Sequence, residues 1–329
     1  MVPTRPCSRN AASTRSARPS ASAPSNTRCS AWLASGRRLA ALAAQTISRV
    51  GTTIPLAGAL PYLPGGTASV RGVDVAYDPD HNQYMVVAAQ NYVLGVCTSA
   101  TGAALGSPIM IKPDTGTGGK PFGSFPRARY TPALNGGAGA FLVTWPEEQV
   151  TGANKLKTRV VSCSDGLIGT EHEIDGGYGP FLEAGAALDY SPTSQKFLVV
   201  WNMPPMSSLR ARFVDLDGAG LGSTVALSTT YGRNPGVAWN SDLNEFGVSF
   251  SGESSTAAYS GFARVPAADI TTFTRTTFNS LPGCMTYISD IGYNSSTGRY
   301  VMGWFQSCGG YAAKTAEFDA AGTLIDMQT

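Results

Sequence analysis

The chain has 329 residues, only 14 % of them charged, and a formal net charge of +2. Glycine (38) and proline (21) are abundant, a balance that suits many short strands joined by tight turns and excludes a scaffold of long amphipathic helices. No segment reaches the roughly 18 apolar residues that a membrane-spanning helix needs.

The charge is unevenly placed. Residues 1–50 hold eight Arg and no Asp, Glu or Lys, which leaves 16 basic against 22 acidic residues in the remainder. That remainder, residues 51–329, is mildly acidic, which argues against a nucleic-acid surface on the folded part. Residues 1–50 are rich in Ser, Ala, Pro and Arg without hydrophobic periodicity, and they read as a disordered leader. Their composition is similar to that of an organelle transit peptide. A secretory signal fits poorly, because Arg37 and Arg38 split the apolar runs Ala31–Ala34 and Leu39–Ala44. A twin-arginine export signal around Ser35–Leu39 and a start site placed too far upstream are the alternatives.

After the leader, Gly51–Leu56 is a candidate closing strand, and then one pattern repeats five times. Its anchors are Tyr77, Tyr130, Tyr190, Trp239 and Tyr293, spaced by 53, 60, 49 and 54 residues. A period of that size marks units that are each one small sheet, unable to bury both faces alone. The first unit runs Val73–Tyr77, turns through Asp78–Asn82 and returns as Tyr84–Ala88. In the first, third, fourth and fifth units a second aromatic (Tyr84, Phe197, Phe246, Tyr300) follows its anchor by seven residues. Equal spacing fixes one hairpin register, because a one-residue slip would invert every side chain. In the second unit Tyr130 and Phe141 are eleven apart, so a longer loop is expected there. Two further strands around a Gly turn complete each unit, except that the fourth has Pro266–Asp269 where the others have Gly. The expected fold class is all-β, a five-bladed β-propeller of four-stranded antiparallel blades. Trp145, Trp201 and Trp304 recur four residues after the second aromatic and are expected in the core rather than as sugar-stacking platforms.

Cys284 and Cys308 are centred on residue 296, inside the turn of the fifth hairpin. Antiparallel pairing sets them opposite one another, within disulfide reach. Cys97 and Cys163 lie on third strands of neighbouring blades, and two core thiols are expected there ahead of an interblade bridge. The two histidines, His81 and His172, sit far apart in sequence and in unlike contexts, which speaks against a zinc site or a Ser-His-Asp triad. Asp215-Leu216-Asp217-Gly218 lacks the further ligands of a calcium loop and reads as an Asp-Gly turn. No metal and no cofactor are expected.

The first strands carry the charges that matter. Three residues before the anchors stand Asp74, Arg127, Ala187, Gly236 and Asp290; one residue before stand Ala76, Arg129, Asp189, Ala238 and Gly292. Both positions share one strand face, and the opposite face (Val75, Ala128, Leu188, Val237, Ile291) is apolar. First strands surround a propeller's channel, so Asp74, Asp189 and Asp290 are expected to converge there with Arg127 and Arg129 beside them as candidate binding residues. Interblade ion pairing, Asp74 with Arg127 for instance, is the expected role of these charges. A catalytic set and a small-ligand or cation site are the alternatives.

The pattern of an aromatic followed by Asn, Asp or Ser, then Phe197-Leu198-Val199-Val200-Trp201 and an Asp-Gly turn, resembles the repeats of secreted bacterial β-propeller proteins, many of them uncharacterised. The placement of three carboxylates is similar to that in five-bladed arabinanase-type glycoside hydrolases, where two act as general acid and base and a third orients them. The dedicated Glu acid of those enzymes has no counterpart here. The reading taken from the sequence is a monomeric, secreted or cell-envelope, non-enzymatic binding or structural module for a carbohydrate or protein partner, with no nucleic acid and no membrane span. The alternative is a glycoside hydrolase using Asp74, Asp189 and Asp290. The inserts Asp114–Phe122, Glu147–Asn154 and Asp175–Glu183 are the expected contact loops.

Overall fold

The computed structural model describes residues 72–89, 92–113, 125–147, 154–178, 185–203, 208–228, 232–253, 258–281 and 284–328. The leader, the candidate closing strand at Gly51–Leu56, the whole of the first expected contact loop (114–122) and residues 148–153 and 179–183 of the other two lie outside the described residues.

Twenty strands form five four-stranded antiparallel sheets, each a meander in chain order. The fold is a five-bladed β-propeller. The first strands of the blades are Gly72–Asp78, Arg127–Thr131, Ala186–Ser191, Arg233–Asn240 and Met285–Asn294. They pack in sequence, each against the next.

The hairpin register is the one that the aromatic spacing predicts. Tyr77 pairs with Tyr84, Tyr190 with Phe197, Trp239 with Phe246 and Tyr293 with Tyr300. The longer second loop still brings Tyr130 opposite Phe141. Each pair has ring centroids 4.8–5.2 Å apart, a separation at which aromatic contacts add to simple burial.

Two turn positions explain why so different a set of loop sequences folds alike. The residue after each anchor turns its side chain back on the loop. Asp78, Asn240 and Asn294 accept from the N–H two residues on at 2.9, 2.9 and 3.0 Å. Thr131 does the same toward Ala133 at 3.3 Å, and Ser191 accepts from Ser194 at 3.0 Å. Five residues after each anchor the backbone is left-handed: Asn82 (φ 51°), Asn135 (56°), Gln195 (49°), Asn244 (51°) and Gly298 (63°). Asn and Gly take that conformation at low cost, so four of the five positions suit their residue. In the fourth blade the missing Gly turn is replaced by a one-turn 3-10 helix, Ile270–Thr272, whose start is capped by Asp269 accepting from the Thr271 N–H at 2.9 Å.

The cores lie between blades. Four apolar clusters join the first blade to the second, the second to the third, the third to the fourth and the fourth to the fifth. Trp145, Trp201 and Trp304 are buried in them, as expected. The anchor face of each first strand looks back at the preceding blade, and Tyr130 is only 9 % exposed there. On the first blade the same face is open, with Val75 54 % and Tyr77 44 % exposed.

Two disulfides staple the ring. Cys284–Cys308 closes the fifth hairpin with Cα atoms 4.5 Å apart, one step beyond the Met285–Ser307 pair of the same register. The expectation of two free thiols at Cys97 and Cys163 is corrected: they form a disulfide, Cα–Cα 5.7 Å. Both look into the core between the first and second blades. Cys97 pairs with Met85, one residue after the second aromatic of its blade, whereas Cys163 lies two residues beyond Val161, the partner of Phe141. The two therefore occupy opposite faces of their sheets and meet across the gap.

Candidate functional site

A cavity of about 980 Å³ opens where the five first strands converge. All five residues singled out in the sequence line it: Asp74, Arg127, Arg129, Asp189 and Asp290. The five anchors Tyr77, Tyr130, Tyr190, Trp239 and Tyr293 line it as well, with Pro79, Pro132, Pro192 and Gln195 from the turns.

Both Asp74 and its neighbour Val75 line the cavity. The blades radiate from the axis, so each first strand offers the cavity its free edge while its two faces look at the flanking blades. The charges therefore lie at the seams between blades, reaching the cavity from the side.

That placement makes the aspartates interblade ties. Asp74 Oδ2 accepts from the Ala128 N–H at 2.9 Å, and its Oδ1 lies 3.4 Å from an Arg127 terminal nitrogen. Arg127 Nε donates to the Ala186 carbonyl at 3.0 Å, carrying the tie on to the third blade. Asp189 is enclosed, 4 % exposed. Its Oδ1 pairs with Arg129, whose Nε lies 2.6 Å away, and accepts from the Tyr190 N–H at 2.7 Å, and its Oδ2 accepts from the Trp239 N–H at 2.7 Å. Charged acceptors of backbone N–H groups form strong hydrogen bonds. Asp290 is different. It is exposed, and among the described residues its only hydrogen bond is from the N–H of its neighbour Ile291 to Oδ1 at 2.9 Å. Gly236 makes room for it: a Cβ there would meet the Asp290 Cα at 2.9 Å and Oδ1 at 3.0 Å.

The mouth carries a second set of ties that the sequence reasoning missed. Tyr130 donates its hydroxyl to Asp80 at 2.7 Å, and Tyr293 donates to Asp242. In each case the anchor of one blade bonds the residue three after the anchor of the preceding blade. The signal was present, since Asp recurs at that offset in the first and fourth units and Tyr is the anchor of the second and fifth. Burial, reinforced by the carboxylate partner, pushes both phenols well above their ordinary range. Behind the mouth, the buried Asp78 takes hydrogen bonds from Gln83 and from the His81 ring, both at 2.8 Å. Burial alone would raise its pKa, but these bonds outweigh it and hold the carboxyl below its ordinary range. A further missed group joins the fourth and fifth blades: Arg264 grips Glu245 through two bonds of 2.7 Å, and Tyr300 donates to Glu245 at 3.0 Å.

Among the described residues no group of three or more His, Cys, Asp or Glu is placed to hold a metal ion. His172 lies by Thr170 on the outer side of the second blade, and Asp215 closes its own Asp-Gly turn by accepting from Asp217 and Ala219 at 3.0 and 2.8 Å. No described helix is long and apolar enough to cross a membrane.

No protein-family model and no curated protein match this chain. Solved structures do. The chain is similar to a protein of unknown function from Bacteroides caccae, with 13 % identity over 79 % of this chain and 81 % of the other and a TM-score of 0.45. It is also similar to a GH43_1 enzyme from Xanthomonas citri (11 %, 79 % and 91 %, TM-score 0.47) and to an endo-arabinase from Bacteroides thetaiotaomicron (9 %, 80 % and 96 %, TM-score 0.46). The expectation of a non-enzymatic module is corrected here, because glycoside hydrolases recur among the solved structures that match. Two carboxylates that line the cavity, Asp74 and Asp189, are paired with Arg127 and Arg129.

Proposed function

We propose that the protein is a glycoside hydrolase whose active site is the axial cavity. The observation that carries this reading is a space large enough for a short stretch of glycan in which three carboxylates meet under a collar of Tyr and Trp anchors. Hydrolysis of a glycosidic bond needs one carboxylic acid to protonate the leaving oxygen and one carboxylate opposite it. Asp74, held by the Ala128 N–H and Arg127, serves as the anionic partner. Asp290 has an oxygen to which no described residue donates and is cast as the acid that delivers the proton. Asp189 has its acceptor positions filled by Arg129 and two N–H groups, so it is a positioning residue that holds the second, third and fourth blades in register. Residues 51–329 form the catalytic propeller and residues 1–50 a leader. Two disulfides accord with export to an oxidising compartment.

The test is a polysaccharide screen on the full chain that measures new reducing ends, with Asp290→Asn and Asp74→Asn alongside. Release that falls by about 10²-fold or more in each variant is the expected result. Release unchanged in Asp290→Asn, or glycan binding with no turnover on any substrate, overturns the proposal.

A further inference from the structure

The cavity contains more hydrogen-bond donors than its own carboxylates use. A guanidinium carries five N–H donors. Arg129 forms an ion pair with Asp189, its Nε 2.6 Å from Oδ1. Arg127 spends Nε–H on the Ala186 carbonyl at 3.0 Å and one terminal N–H on Asp74, at a long 3.4 Å. The terminal fork of Arg129 makes no bond with a described residue, although the side chain lines the cavity and is 51 % exposed. The two arginines stand two residues apart on one strand and on one face of it, which sets their Cα atoms about 7 Å apart.

A planar guanidinium fork matches a planar carboxylate through two parallel bonds, a geometry that a single hydroxyl group cannot fill. The Ala186 carbonyl takes the Arg127 Nε–H, Asp189 pairs with Arg129, and both arginines line the cavity. Asp290 stands on the fifth blade, away from this pair on the second.

We infer that Arg127 and Arg129 form an anionic subsite that selects a carboxylate-bearing glycan, one containing uronic acid residues. The inference rests on the glycoside hydrolase reading and adds the class of substrate to it.

The experiment uses the full chain and a panel of polygalacturonate, alginate and glucuronoxylan, each beside a counterpart whose carboxyl groups have been reduced to alcohols, together with a sulfated galactan. Retention and reducing-end release are measured separately. At least one acidic polymer is expected to be held roughly 10-fold or more tightly over its reduced form, the range of a charged hydrogen-bond pair. That preference should fall to near unity in Arg129→Gln and weaken in Arg127→Gln. Arg129→Lys keeps the charge without the fork and should recover only part of it. Denaturant unfolding shows whether each variant is folded, and because Asp189 keeps its two N–H donors without Arg129, Arg129→Lys supplies a second readout if Gln proves disruptive. Equal handling of acidic and reduced polymers by the parent chain overturns the inference, as does a preference that survives both Arg→Gln changes. Cleavage of neutral glycans without an acid preference removes this subsite but leaves the hydrolase standing. Acid-selective retention without cleavage keeps the subsite and removes the hydrolase. A preference for a sulfated galactan above every uronate polymer also overturns it.

Discussion

Replacing Asp189 should cost far more stability than replacing Arg129, although the two form one ion pair. Asp189→Ala removes the acceptor of the Tyr190 and Trp239 N–H groups, both 2.7 Å away, in a setting where the carboxylate is 4 % exposed. Each N–H left buried without a partner costs about 1–3 kcal/mol, and a truncated buried charge site loses about 3–5 kcal/mol in all. Arg129 is half exposed. Its removal leaves Asp189 with both N–H donors, so Arg129→Ala should cost no more than about 1 kcal/mol, the range of a solvent-screened pair. Asp189→Asn should fall between, because the amide keeps one acceptor and turns its NH₂ toward the other donor. The double Ala variant should match Asp189→Ala to within about 0.5 kcal/mol. Urea unfolding followed by tryptophan fluorescence reads all four, with a constant denaturant slope as the check that the unfolded states are alike. If Arg129→Ala destabilised as much as Asp189→Ala, the charge pair would be the tie and the backbone donors incidental. A loss under about 1 kcal/mol for Asp189→Ala would remove both accounts.

Three other perturbations follow from the same geometry. Gly236→Ala puts a methyl 2.9 Å from the Asp290 Cα, an overpacking expected to cost about 1–3 kcal/mol and to displace Asp290; a melting temperature and hydrolytic activity both unchanged would show that the blades yield there freely. Serine at both Cys97 and Cys163 opens a bridge that spans 66 residues, worth about 4 kcal/mol in the chain-entropy account, so the double variant should lose about 2–4 kcal/mol, and a midpoint equal to that of the parent would contradict the bridge. Tyr130 and Tyr293 have folded-state pKa values raised by burial and by their carboxylate partners, so their contribution to stability is fully present below about pH 10 and lost as pH rises toward the folded values. Ultraviolet titration of the native protein should leave these two phenols un-ionised after the exposed ones have ionised, and Phe at both positions should flatten the alkaline loss of stability; ordinary titration of every tyrosine in the intact fold would refute the ties.

Register was legible in the sequence because it rests on local rules. Strand side chains alternate with a period of two, so the seven-residue interval between Tyr77 and Tyr84, or Tyr293 and Tyr300, admits one pairing that keeps both aromatics on the same face. The turn supplies the rest through a polar acceptor one residue after the anchor and a left-handed residue five after it. That rule also explains why the second hairpin keeps its pairing across a longer loop, since Thr131 and Asn135 occupy the same two positions.

The direction in which a face points is a different kind of information. Alternation tells that Asp74 and Ala76 share a side of their strand, but not whether that side meets the axis or the next blade. In a propeller each sheet stands edge-on to the axis, so a charge on the first strand lies in a seam, where the nearest partner is a backbone N–H of the neighbouring blade: Ala128 for Asp74 and Trp239 for Asp189. Those partners are 54 and 50 residues away, about one repeat. The repeat length itself therefore encodes the ties, because an acceptor on one first strand finds the corresponding strand of the next unit one period later. For Asp290 no such donor on a neighbouring blade is found among the described residues, and it accepts from the Ile291 N–H of its own strand.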